Sequence, residues 1–216
     1  MKITVFKYGE ALYPEARLFA DRPGEQKIAM SFCFYLIETA DKTILVDTGC
    51  DGREKYGFYA YKHPVELLAE YGLQPEDITD VILTHCHFDH VEGISFFRDS
   101  VIHVQKNEYD LRGAAYIGTP EKLVLFEDED LVTDGVRVCR YGGHTTDSCV
   151  VFAGDYLLCG DEAYYIRNFR DKIRIGNCAN PELAQAFVET YCDSPYKTLL
   201  FHDSSILPGK VGFLQV

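Results

Sequence analysis

Within His85-Cys86-His87-Phe88-Asp89-His90 the chain places three imidazoles and one carboxylate in six residues. Imidazole is the commonest biological metal donor and carboxylate a frequent companion. A cluster this tight either binds metal or leaves costly unpaired polar groups. Asp80 to Thr84 (D-V-I-L-T) reads as a short buried strand that stops where the cluster begins. Extended backbone then puts His85 and His87 on one side and turns Cys86 to the other. Asp89 and His90 fall where Gly93 and an apolar run predict a helix start, so they face a neighbouring point. One metal takes about four ligands, and four donors here plus distant ones point to two metals. Of the seven histidines, His144 and His202 are the others to follow; His63 and His103 are assigned no role.

The elements that must position these groups can be read in order. Residues 2 to 8 alternate as a strand, followed by a polar loop from about Gly9 to Glu25. Ser31–Ile37 and Thr43–Val46 form a hairpin that ends in Asp47-Thr48-Gly49. An aromatic-rich segment (Tyr56, Phe58, Tyr59, Tyr61) precedes a helix from Pro64 to Tyr71. Beyond the cluster come a strand at Val101–Val104 and a helix over Lys106–Arg112. The acidic run 127–130 reads as a solvated turn without a role. Val136–Tyr141 alternates as a strand and stops at Gly142-Gly143-His144, where glycines permit a sharp turn that re-aims the imidazole. Cys149–Ala153 and Tyr156–Cys159 flank Gly154-Asp155, a hairpin signal, and end in Gly160-Asp161. Asn180-Pro181 opens an amphipathic helix to about Cys192. A last strand, Thr198–Phe201, ends in His202-Asp203.

Asp47, His85, His144, Asp161 and His202 thus each follow a different predicted strand. In α/β sheets, strand ends that share an edge are where ligand sites collect. Each half also carries an apolar hairpin ending in an Asp beside a Gly, an echo that suits a two-sheet sandwich of related halves.

Composition sets the limits. With 216 residues and 47% hydrophobic content, the chain is expected to form one domain over residues 1–216. A formal charge of −13, with no basic run, disfavours nucleic acid or an anionic membrane as partner. The opening Met1-Lys2-Ile3-Thr4-Val5-Phe6 alternates like a strand rather than a signal peptide, and a cytoplasmic location is expected. The eight cysteines include no C-x-x-C pair and several lie in apolar runs, which fits reduced core thiols.

H-C-H-F-D-H, then G-G-H-T, Gly160-Asp161 and Phe201-His202-Asp203, together with L-V-D-T-G at 45–49, resembles the metallo-β-lactamase superfamily over nearly the whole chain. The resemblance implies an α/β fold: an αββα sandwich of two mixed β-sheets flanked by helices, with metals at one edge. It implies one metal on His85, His87 and His144, another on Asp89, His90 and His202, Asp161 bridging them, and Asp47 in support. Asp161-Glu162-Ala163-Tyr164 is similar to the D-x-x-Y of quorum-quenching N-acyl homoserine lactonases, where the Tyr meets the substrate carbonyl. A Pro-Gly pair usual after the third His is replaced by Thr145-Thr146-Asp147-Ser148, with Asp expected to tolerate the left-handed backbone.

Two divalent cations about 3.5–4 Å apart lower the pKa of a shared water, whose hydroxide can attack a carbonyl. Zinc is the expected cofactor, with manganese, iron and cobalt also compatible. Asp89 is the carboxylate placed to pass a proton to the leaving alkoxide, and Tyr164 to bond the carbonyl. The aromatics at 56 to 61 and Tyr165 or Phe169 are expected to line an acyl pocket. The favoured substrate is a small molecule with a lactone or ester carbonyl. A thioester such as hydroxyacylglutathione, or a phosphodiester, is the alternative on the same fold, and a non-catalytic metal-binding sensor is a third. Nothing in the sequence fixes the oligomeric state.

Overall fold

The computed structural model describes residues 1–52 and 57–216. Its first sheet contains β1 (Lys2–Pro14), β2 (Lys27–Glu38), β3 (Thr43–Val46), β4 (Ala60–Tyr61), β5 (Asp80–Ile82), β6 (Val101–Gln105) and β7 (Leu123–Phe126). The second contains β8 (Glu129–Thr133), β9 (Val136–Arg140), β10 (Cys149–Ala153), β11 (Tyr156–Leu158) and β12 (Lys197–Leu199), while β13 (Gly212–Gln215) returns to the first. The first sheet runs β13-β1-β2-β3-β5-β6-β7 with β4 on β1, and the second runs β12-β11-β10-β9-β8. Both are mixed: β3, β5, β6 and β7 are mutually parallel in sequence, as are β11 and β12, whereas the hairpins are antiparallel.

The period-2 pattern of β2 explains the layering. Cys33, Tyr35 and Ile37 face the second sheet and pack with Val138, Val151 and Leu158. Met30, Phe32, Phe34 and Leu36 face the other way, against Leu67 and Leu68 of the helix Pro64–Tyr71. On the far side, Phe187 and Val188 of the helix Pro181–Tyr191 cover Val150 and Leu157. The result is the metallo-β-lactamase fold, two mixed sheets between helical layers. The echo of the halves is visible in the pairing: the hairpin β2-β3 is continued by parallel β5, and the hairpin β10-β11 by parallel β12.

Two sequence expectations are corrected. The polar stretch after Tyr8 is not a loop; β1 continues to Pro14, paired with β2 down to Lys27, before a short helix at Glu15–Leu18. A bulge between Lys7 and Gly9 permits this, because it leaves Tyr8 unpaired and re-aims its ring. The acidic run is also not a simple turn, since Glu129 and Asp130 begin β8 and Asp130 contacts His103. Beyond Arg112 the helical path continues through Ile117.

Candidate metal centre

Five connections, after β3, β5, β9, β11 and β12, converge beyond the strand ends, and hydrogen bonds fasten them. The turn after β3 holds Asp47 at φ +64°, a left-handed conformation that Asp adopts more readily than most residues but less readily than Gly. Its carboxylate accepts the Thr84 N–H and hydroxyl, both at 2.8 Å, and His90 Nδ1 at 2.7 Å. Thr48 N and Oγ1 donate to the His90 carbonyl at 2.7 and 2.9 Å, and Tyr8, freed by the bulge, donates to the Asp89 carbonyl at 2.8 Å. Position 93 has to be glycine, because a Cβ there would lie 2.5 Å from the Thr48 carbonyl oxygen.

Three of the remaining imidazoles, His85, His144 and His202, are held from behind in the same way. The Thr84 hydroxyl, which donates to Asp47, lies 3.1 Å from His85 Nδ1 and so accepts from it. His144 Nδ1 donates to the Asn177 carbonyl at 2.9 Å, and His202 Nδ1 to the Ser31 carbonyl at 2.8 Å. Committing Nδ1 as donor leaves the Nε2 lone pair for a cation. Those Nε2 atoms point inward: His85 and His144 each stand 2.9 Å from His87 Nδ1. Asp161 divides its carboxylate between two groups. Its Oδ1 lies 2.9 Å from His202 Nε2 and 3.2 Å from His90 Nε2, while its Oδ2 lies 3.2 Å from His144 Nε2 and 3.6 Å from His85 Nε2.

All seven sequence-predicted donors therefore come together. His85, His87, His144 and Asp161 form one group, and Asp89, His90 and His202 a second, each with its donor atoms within 4.8 Å of one another. The donor set fits cations. His90 Nε2 is buried facing the Asp161 and Asp89 carboxylates at 3.2 and 3.5 Å, without a well-aligned hydrogen bond to either. Burial lowers the pKa of His85, His87 and His144, favouring the neutral form that ligates. His90 shows the opposite balance: burial pulls it down, yet Asp161, Asp89 and Asp47 raise it well above its ordinary value. That local excess of negative charge is what a divalent cation neutralises.

A cavity of about 200 Å³ opens onto these groups, with Tyr13, Arg17, Met30, Phe32, Phe88 and Tyr164 in its wall. Tyr164 is 2% exposed, and its hydroxyl lies 3.3 Å from His144 Nδ1. A larger hollow of about 640 Å³ near Ile94 and Lys122 contains none of the donors.

The expected acyl pocket is corrected. Phe58 packs in the core edge-on to Phe32, Tyr61 stacks on Phe58, and Tyr59 is exposed. Tyr165 is committed to the Ala29 carbonyl, and Phe169 lies under the helix Pro181–Tyr191. None of these lines the cavity; Tyr56 lies outside the described residues. Asp147 is not left-handed either: Gly142 takes the positive φ of +89°, and Asp147 accepts instead from Asn107 at 3.0 Å.

Two buried glutamates escape sequence reasoning. Glu108 accepts the Cys86 N–H at 3.0 Å and the Thr145 hydroxyl, joining two of the loops. Glu162 accepts from Gly143 N, His144 N and the Ser148 hydroxyl, and burial pushes its carboxyl up to about 7 against those bonds. Neither carries a motif. Cys86 does turn away, packing against Gly113.

A sandwich of mixed sheets with two clustered His/Asp donor groups at one edge defines a class of binuclear metallohydrolase folds. The metallo-beta-lactamase superfamily profile matches residues 34–191, and the chain belongs to that superfamily. The N-acyl homoserine lactonase AiiA of Bacillus thuringiensis subsp. kurstaki is 28% identical over 182 residues, covering 72% of each chain. A quorum-quenching N-acyl homoserine lactone lactonase superposes with a TM-score of 0.84 at 23% identity, over 99% of this chain and 98% of that one. AidC, a dizinc quorum-quenching lactonase in complex with its product, superposes with a TM-score of 0.74 at 19% identity, over 99% of this chain and 93% of that one. No described helix is long and apolar enough to cross a membrane.

Proposed function

We propose that the chain is a binuclear metal-dependent hydrolase that opens the lactone ring of an N-acyl homoserine lactone or a close analogue, carried by a single domain over residues 1–216. His85, His87 and His144 would hold one cation and Asp89, His90 and His202 the other, with Asp161 offering an oxygen to each. The observation that carries this reading is the Asp161 carboxylate, which offers one oxygen to each group of imidazoles. The dizinc lactonase neighbour supports zinc as the metal. Two divalent cations supply Lewis acidity toward the carbonyl and a water of lowered pKa.

The protein's own groups do the rest. Asp47 fixes the His90 ring through Nδ1, and the carbonyls of Asn177 and Ser31 fix His144 and His202, so the donors are oriented before substrate arrives. Tyr164 presents its hydroxyl from the cavity wall to the substrate carbonyl, where it strengthens its bond as negative charge develops. Asp89 lines the same cavity beside His90, placed to carry a proton to the leaving alkoxide.

The test is turnover by zinc-loaded protein on an N-acyl homoserine lactone, S-lactoylglutathione and an aryl phosphodiester. The lactone is expected to lead in kcat/KM, with Asp89→Asn losing about 10²–10⁴-fold while zinc analysis shows how much metal remains. A lead by the thioester or phosphodiester would reassign the substrate, and no turnover on any of the three would favour a metal-binding sensor.

A further inference from the structure

After β1 the chain turns through Glu15–Leu18 and anchors itself on Leu18 and Phe19, both buried. The Arg17 carbonyl accepts the N–H groups of Gly176 at 3.0 Å and Asn177 at 2.9 Å. Gly176 has to be glycine for this approach, since a Cβ would stand 1.9 Å from the Ala16 carbonyl oxygen. Asn177 in turn accepts from His144 through its own carbonyl. One residue therefore links the Arg17 backbone to a metal-facing imidazole, and the Arg17 side chain forms part of the wall of the cavity that His87, His144 and Tyr164 also line.

Arg17 differs from its neighbours in charge partnership. Arg22 meets Glu15 and Asp21, Arg167 meets Glu15, Asp21 and Asp171, and Arg170 meets Asp171. The Arg17 guanidinium has no such ion pair among the described residues; it reaches the Tyr13 hydroxyl at 3.4 Å and lies 5.8 Å from that ring. In a chain of formal charge −13, the long-range field repels anionic ligands, and this cation is the local exception at the cavity wall. Its fork geometry matches a carboxylate. The cavity, at about 200 Å³, is smaller than the roughly 300 Å³ and upward of pockets that enclose a whole drug-sized ligand. A substrate arm extending from the metals must therefore leave past its rim.

We propose that Arg17 is a specificity-determining residue that selects substrates whose acyl arm carries a carboxylate. The inference rests on the lactone-opening reading and names its substrate class more closely. The matched probes are N-hexanoyl and N-adipoyl homoserine lactone, which share a six-carbon acyl chain and differ in a terminal methyl or carboxylate. For wild-type zinc enzyme the adipoyl lactone is expected to have the higher kcat/KM. Arg17→Gln is expected to lower the adipoyl-to-hexanoyl ratio about tenfold, as for a lost hydrogen bond to a charged group, chiefly through KM. Arg174→Gln, a control outside the cavity wall, is expected to leave it unchanged. An unaltered ratio in Arg17→Gln, or an equal fall in Arg174→Gln, overturns the assignment. Calorimetric titration with the ring-opened N-adipoyl- and N-hexanoyl-homoserine separates this from the parent reading. If neither lactone is turned over, the lactonase reading fails alone provided that the adipoyl compound still binds tighter and Arg17→Gln abolishes the preference. Equal binding of the two compounds refutes the role of Arg17.

Discussion

At the scale of single residues, the centre is built by groups that commit one atom to the scaffold and leave another free. Asp47 is the clearest case, because its oxygens are all spent on Thr84 and His90 and its backbone is held at a left-handed φ of +64°. Asp47→Asn keeps the shape and the bond from the Thr84 N–H, but its amide nitrogen cannot accept from the Thr84 hydroxyl or from His90 Nδ1, so both the charge and the bond behind His90 are lost. Loss of such an outer partner typically costs 10–100-fold in metal affinity, so chelator competition is expected to show zinc binding weaker by about that factor. Tyr164→Phe isolates a different contribution. Its hydroxyl sits beside His144, whose Nδ1 is already satisfied by Asn177, so zinc content is expected to hold. Turnover of a lactone is expected to fall about 10²-fold, the scale of one oxyanion donor, and mainly in kcat. Unchanged kcat in the Phe variant would leave Tyr164 a packing residue.

At the scale of elements, the site depends on short connections being pinned at their backbones. Gly176 shows how little room there is: Gly176→Ala drives a Cβ against the Ala16 carbonyl, and overpacking of this kind costs about 1–3 kcal/mol. For a chain of this size that corresponds to a fall in Tm of roughly 2–10 °C, which calorimetry would register, accompanied by weaker zinc binding because Asn177 moves with it. The same feature explains what the sequence could reveal. His85, His87, Asp89 and His90 were legible because donor spacing survives in the primary structure, and the helices Pro64–Tyr71 and Pro181–Tyr191 because Pro and Asn mark their starts. Strand ends were legible wherever an apolar run stopped at Asp or His. Ser31 and Asn177 were not, since they act through carbonyls that every residue owns. Glu108 and Glu162 were hidden for another reason: a buried glutamate looks like a surface one until the fold closes over it. The acyl pocket was misassigned because aromatic density marks packing as readily as a ligand wall, and Phe58 and Phe169 went to the core.

At the scale of the whole molecule, the two sheets are joined at both ends. At one end Asp47 and His85 follow strands of the first sheet, while His144, Asp161 and His202 follow strands of the second. Cations bound there would tie the sheets together, and a ligand present at 100–1,000 times its Kd stabilises the native state by about 3–4 kcal/mol. Stripping the zinc with a chelator is therefore expected to lower Tm as well as abolish turnover. At the opposite end of β5, Asp80 accepts from His103 at 2.9 Å and Lys42 at 2.8 Å, and His103 reaches across to Asp130 of β8. Burial pushes the Asp80 carboxyl up, but the bonds from His103, Lys42 and Thr79 outweigh it and bring it down to about 2 from 3.8. A depressed carboxyl contributes stability that is fully present above its unfolded pKa, near 4, and is lost as pH falls through about 2. Asp80→Asn is accordingly expected to cost about 2 kcal/mol at neutral pH, with the gap to wild type closing between pH 4 and pH 2. Urea unfolding in the presence of a chelator measures this without interference from metal loss. A gap that persists unchanged to pH 2 would mean that shape, not charge, holds this end of the sandwich.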